Sequence, residues 1–225
     1  MYSKRLEKKL TEKLKEKYNL ECYSGVTSYL FNLSHKLMEK KLSKNHYDKV
    51  LEIGAGIHPH IKYIKHNFNS YYCCENSKYT ISYLNKNFPK IETIYSENIE
   101  IPNNMKFDRI IMSHSLEHIY KPESVLQKIY ELLNDNGVIS IAIPTDPAIA
   151  YRFLRYFKKK IFSGYKISEK EYDYINAIEH INSFNNNHAI IKYLFKDYKQ
   201  YYFPFNFLSS DFNIFSFYQI FKNKS

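Results

Sequence analysis

The sequence predicts an α/β fold built on a doubly wound sheet of about seven strands, with helices on both faces, and three observations carry that prediction. Short β-branched segments alternate with amphipathic helical stretches from residue 49 to residue 144. The fifth such segment, VISIAIP (138–144), is apolar on both faces, as a strand inside a parallel sheet must be. Two of the chain's five glycines fall in Gly54-Ala55-Gly56, directly after the first segment, at the edge where open α/β sheets bind ligands.

Residues 3–18 carry Leu6, Leu10, Leu14 and Tyr18 at four-residue steps among lysines and glutamates, which predicts an amphipathic helix. A second helix is expected over about 27–42. KVLEI (49–53) reads as strand one, and 57–67 as a helix with Pro59 in its first turn, where proline is tolerated. SYYCCE (70–75) is strand two, 77–87 a helix, IETIYS (91–96) strand three and FDRIIMS (107–113) strand four. A helix over 122–133 is expected to stop at Asn136-Gly137 before strand five. Residues 146–179 break the rhythm with two polar-aromatic helical stretches. A helix over 187–196 follows, and β-rich segments at 198–205 and 213–221 close the sheet as an antiparallel hairpin. With no repeat and no linker, 1–225 reads as one domain, with N-terminal helices over 1–45 and a helical insertion over 146–180.

Of the 225 residues, 44% are hydrophobic and 17% aromatic, ample for a packed core. The net charge of +10 invites an anionic partner. Yet the arginines are only Arg5, Arg109, Arg152 and Arg155, and arginine is the usual bidentate reader of phosphates and bases. Nucleic acid is therefore disfavoured, and the excess charge reads first as a solvated lysine-rich surface. Cys73 and Cys74 are adjacent and point to opposite faces of a strand, so they do not pair. No Cys/His spacing of the zinc type occurs, so no metal is expected. The charged start lacks the apolar core of a secretory signal and no segment is long enough to span a bilayer, so a cytoplasmic location is expected.

A dinucleotide fingerprint would need a third glycine where Pro59 stands, which favours a ligand without a pyrophosphate. Glu75 ends strand two, where an acid commonly holds ribose hydroxyls, and Glu97 follows strand three. Three such features in register are far more specific than an isolated glycine pair.

VLEIGAG (50–56) resembles motif I of the class I, Rossmann-like S-adenosylmethionine-dependent methyltransferases, and ENS (75–77) resembles their strand-two acid. SENIEIP (96–102) is similar to their adenine-contacting segment, and FDRIIMSHSLEHI with LLNDNGVISIAIP to their strand-four and strand-five motifs. The resemblance covers roughly 49–145 and implies S-adenosyl-L-methionine as cofactor, with S-adenosyl-L-homocysteine as product. It implies that Glu52 orients the glycine turn, and that Gly54 and Gly56 approach the amino-acid part of the cofactor. Glu75 would bind ribose with Asn76 beside it in the cofactor site, Glu97 and Asn98 would hold adenine, and Ser113 and His114 would line the cofactor near its sulfonium. His58 stands where the family's third glycine is usual and would crowd or contact the cofactor's carboxylate.

Methyl transfer needs alignment of donor and acceptor, and for a hydroxyl also a base. His114 and His118, which bracket Glu117, and His180 are the candidates. SHSL after strand four, in place of an N/D-P-P-Y motif, argues against methylation of base amino groups. Tyr151, Arg152 and Arg155 form a basic-aromatic stretch suited to a phosphate, with Arg as the bidentate group. Phe153, Leu154, Phe157 and Ile161 give the same stretch an apolar side that suits a weak membrane-surface contact. The insertion and the aromatic C-terminal segment resemble methyltransferases of bacterial capsule and lipopolysaccharide synthesis. That second resemblance implies O-methylation of a small phosphate- or nucleotide-bearing precursor. An RNA methyltransferase, a lipid or quinone methyltransferase and a cofactor-binding protein without turnover stay open as alternatives, as does the oligomeric state.

Overall fold

A computed structural model describes residues 25–42, 44–161 and 168–223. The helix expected over 3–18 lies outside the described residues. The strands are β1 (Lys49–Ile53), β2 (Ser70–Glu75), β3 (Ile91–Tyr95), β4 (Phe107–Ser113), β5 (Leu133–Pro144), β6 (Tyr198–Phe203) and β7 (Phe215–Phe221). The helices are α1 (Gly25–Met38), α2 (Lys78–Asn87), α3 (Pro122–Glu131), α4 (Ile149–Ile161), α5 (Glu169–Glu179) and α6 (Phe184–Leu194).

The strands form a seven-stranded sheet in the order β3-β2-β1-β4-β5-β7-β6. The first five run parallel, and β7 lies antiparallel between β5 and β6, which is the expected C-terminal hairpin. The chain winds outward from β1 to β3, then returns to β4 beside β1. Such a reversal opens a crevice at the carboxyl ends of the two central strands, and the glycine turn lies there.

Strand alternation divides the core. Val50, Tyr71, Cys73 and Ile111 face one side and pack with Met38 of α1 and Leu84 of α2. Leu51, Cys74, Ile110 and Met112 face the other and pack with Leu126 and Ile129 of α3 and Ile191 of α6. Each fully buried aliphatic side chain contributes on the order of 1.5–3 kcal/mol, so the two aliphatic layers hold the sheet against its helices. Cys73 and Cys74 occupy opposite layers and are unpaired. Local chemistry sets the helix starts. Ser77 and Ser183 accept the amide hydrogens of Thr80 and Asn186, and Ser168 and Glu171 form a reciprocal capping box at α5.

Two expectations are corrected. Residues 57–67 form no α-helix, only a single 3-10 turn at His60–Lys62. Pro59 is extended, and the amide hydrogen of His60 goes to the buried Glu52 carboxylate instead of a helical carbonyl. Ile61 and Ile64 pack against the α1 side of the core without an α-helix between them. The second correction concerns α3, which ends at Glu131, while Asn136-Gly137 lies inside β5. Asn136 takes a left-handed φ of 59°, and the β4–β5 register shifts between Phe107 and Arg109 to absorb the irregularity. Among the described residues, no helix is long and apolar enough to cross a membrane.

Candidate active site

Gly54 and Gly56 both lie in the left-handed region, with φ of 71° and 57°. Most side chains resist that conformation. A Cβ at Gly54 would lie 2.7 Å from the Ser115 Cβ, so the turn after β1 touches the loop after β4. The Gly56 amide donates to Glu75 Oε1 at 2.6 Å, which ties the acid of strand two to the glycine turn. Burial raises the Glu75 pKa, and hydrogen bonds from the Gly56 and Asn76 amides oppose that rise. Glu52 is fully buried and does not hold the glycines directly. It accepts the His60 amide at 2.9 and 3.0 Å and the Tyr71 hydroxyl at 2.7 Å, and so braces the far end of the loop. Burial pushes its carboxyl up to about 7. His58 is half-buried beside the turn, its pKa lowered by burial and then by Lys62. Glu97 and Asn98 are exposed just beyond β3, where Tyr95 donates to Glu97 at 2.8 Å.

Helix α1 lies against the carboxyl end of β4 through Ser34 and His35. His114, at φ 53°, follows β4, and its Nε2 lies 2.7 Å from Ser34 Oγ. That hydroxyl is 2.8 Å from the Phe31 carbonyl, which can only accept, so His114 Nε2 is the donor and Nδ1 carries the lone pair. Phe31 and Phe215 meet the ring edge-on. Burial drives the His114 pKa down to about 3, so the ring is neutral.

Beneath α1 runs a buried polar chain. Ser113 Oγ is 3.4 Å from His35 Nδ1, which is 2.7 Å from His60 Nδ1. His60 Nε2 donates to Glu39 Oε1 at 2.8 Å, and Arg109 pairs with the same oxygen at 2.7 Å. Since a carboxylate only accepts, His60 Nδ1 is left as acceptor and His35 as donor. Burial would raise the Glu39 pKa, but the His60 hydrogen bond and the Arg109 charge outweigh it and hold it at about 2. The sequence reading assigned no role to Ser34, His35, Glu39 or Arg109. The available signal was an arginine inside the apolar run FDRIIMS, which demands a buried counter-ion.

The remaining predicted site residues lie past β4 and β5. A cavity of about 760 Å³ is lined by Asp146, Arg152, Arg155, Asn176, His180 and Asn186, among others. Arg155 pairs with Asp146 Oδ1 at 3.2 Å and lies over the Tyr151 ring, so its charge is already shared. Arg152 is exposed in the same wall. The rings of His118 and His180 approach to 5.0 Å, and Glu117 lies beside them. Thus the structure brings together His118 and His180, far apart in sequence, while His114 lies beside Glu117 with its Nδ1 4.0 Å from Glu117 Oε1.

Residues 24–194 match the family described as the methyltransferase domain. The chain belongs to that family. No curated protein sequence matches it significantly. Among solved structures it is similar to the plantazolicin methyltransferase BpumL in complex with S-adenosylhomocysteine, at 15% identity and a TM-score of 0.67, over 95% of this chain and 90% of that one. The plantazolicin methyltransferase BamL is 17% identical with a TM-score of 0.64, over 95% and 91% of the two chains. The N-methyltransferase NodS from Bradyrhizobium japonicum is 12% identical with a TM-score of 0.56, over 86% and 97%. At these identities the likeness is one of fold.

Proposed function

We propose that this methyltransferase transfers the methyl group of S-adenosylmethionine to a hydroxyl oxygen of a small, phosphate-bearing acceptor. The observation that carries the cofactor half is the 2.6 Å hydrogen bond from Gly56 to Glu75. It holds the carboxylate at the mouth of the glycine turn, where it accepts from ribose hydroxyls together with the Asn76 backbone. Gly54 and Gly56 let the methionine part approach the backbone, His58 borders its carboxylate, and Glu97 with Asn98 receives adenine. Ser113 and His114 line the sulfonium. A neutral His114, with a pKa of about 3, suits that place, because an imidazolium beside a sulfonium would repel it.

Transfer is an in-line displacement in which alignment is the main requirement. The C–S bond breaks with its electron pair left on sulfur, the O–CH₃ bond forms, and the hydroxyl proton leaves. With a pKa of about 3 and Nε2 committed to Ser34, His114 is a poor base at neutral pH. The hydroxyl proton is lost on the side of the cleft where Glu117, His118 and His180 stand together. Arg152 in the cavity wall supplies a contact for phosphate, while Arg155 offers what its pairing with Asp146 leaves. A nucleotide- or phosphate-bearing precursor of a surface polysaccharide is the specific acceptor class we favour, on the basis of the capsule-type resemblance and this basic wall.

A lipid or quinone acceptor is the second reading. It is favoured by the exposed Phe153, Tyr156 and Phe157 of α4, which make a patch suited to a membrane surface. The test is release of S-adenosylhomocysteine with phosphorylated sugars, sugar nucleotides, RNA and lipid vesicles as separate acceptors. Turnover confined to the first two supports the proposal; turnover only with vesicles or only with RNA replaces it.

A further inference from the structure

We propose that Glu117, His118 and His180 form a binding site for one divalent first-row transition-metal ion at the acceptor side of the cleft. The assignment of a role to that ion rests on the methyltransferase reading, but the site itself does not. Ligand atoms of the three side chains lie within 4.8 Å of one another, a spread that one ion can draw together.

Four further observations point to a cation. Glu117 is almost fully buried, yet its Oε2 has no hydrogen-bond partner. A buried carboxylate oxygen left that way is costly unless a cation meets it. His118 Nδ1 donates to the Glu179 carbonyl at 2.8 Å, which fixes the tautomer and leaves Nε2 bare, the usual arrangement of a metal-ligating imidazole. His180 Nδ1 is also buried without a hydrogen bond, 3.6 Å from Asp146 Oδ2. On the cofactor side, the His114 Nδ1 lone pair faces Glu117 Oε1 across 4.0 Å. Two acceptors turned toward each other at that distance leave a site for positive charge between or beside them. Two imidazoles and one carboxylate suit zinc, iron, cobalt or manganese better than magnesium or calcium, which prefer oxygen alone.

An ion held there would take the acceptor hydroxyl as a further ligand and lower its pKa, the proton passing to solvent. The same oxygen lone pair would then form the O–CH₃ bond. The sequence offered no zinc-type spacing because the ligands come from the loop after β4 and the end of α5, brought together only by the fold.

The test uses the full chain, stripped with a chelator. It is titrated with Co²⁺ by visible absorption and with Zn²⁺ by calorimetry, and S-adenosylhomocysteine binding is measured separately. One equivalent of Co²⁺ with ligand-field bands and micromolar Zn²⁺ affinity is expected. Glu117→Gln and His180→Asn should each weaken binding at least tenfold while S-adenosylhomocysteine affinity stays the same. His118→Asn, at an exposed position, gives the same readout if a buried substitution disturbs folding. Absent Co²⁺ bands in the wild type, or variants that bind like it, overturn the site. Metal binding without S-adenosylhomocysteine binding upholds the site and instead removes the cofactor reading.

Discussion

Glu75 and Gly56 meet in a 2.6 Å hydrogen bond, so the acid that ends β2 and the turn that ends β1 form one unit. Without it, the turn's left-handed dihedrals and the carboxylate's position would be independent. With it, a change at either residue is felt by the other.

Glu75→Ala removes a charged acceptor at the heart of that unit. A hydrogen bond to a charged group is worth about 1.5–3 kcal/mol, so cofactor affinity should fall roughly ten- to hundredfold. Calorimetric titration with S-adenosylhomocysteine checks this. Glu75→Gln, which keeps one acceptor oxygen, should lose less.

Gly54→Ala meets two obstacles, a φ of 71° and a Cβ placed 2.7 Å from the Ser115 Cβ. The combined penalty is about 1–3 kcal/mol, read as a lower midpoint in urea unfolding. Ser115→Gly in the same chain removes the clash but not the backbone strain, so it should recover only part of the loss.

Replacing one member of the buried Glu39–Arg109 pair leaves the other charge stranded. Arg109→Met should cost about 3–5 kcal/mol, far more than a surface lysine substitution. The double change to apolar residues of matching volume should recover much of it.

The buried acids Glu39 and Glu52 give stability terms of opposite sign. The Glu39 pKa falls from an ordinary 4.5 to about 2, so its contribution is present above pH 4.5 and is lost as pH falls toward 2. The Glu52 pKa rises from 4.5 to about 7, so its contribution is present below 4.5 and is lost as pH rises through 7. Unfolding free energy measured across pH should therefore fall more gently between 5 and 7 in Glu52→Gln than in the wild type.

Arg152→Ala should raise the acceptor KM several-fold and leave cofactor affinity unchanged. Arg155→Ala should act less simply, since it also frees Asp146 beside His180. Steady-state kinetics with the acceptor found by screening separates them.

The parallel core was legible because VISIAIP and KVLEI carry their burial in their composition, and the glycine turn because left-handed dihedrals select glycine. The loop over 57–67 was not, because its apolar spacing is helical while its geometry is dictated by a distant carboxylate, Glu52. His114, His118 and His180 were singled out by residue type and by position after β4 and α5. Their division of labour depends on which nitrogen Ser34 and the Glu179 carbonyl engage, and that is tertiary information. The same holds for Glu39 and Arg109, which are separated widely in sequence and meet only when α1 closes over the sheet.

Calorimetric titration of the purified chain with S-adenosylmethionine tests the central claim most directly. A single site with micromolar affinity is predicted, weakened in Glu75→Ala. No heat at millimolar ligand would contradict it and would mean that His58 closes the cleft against the cofactor.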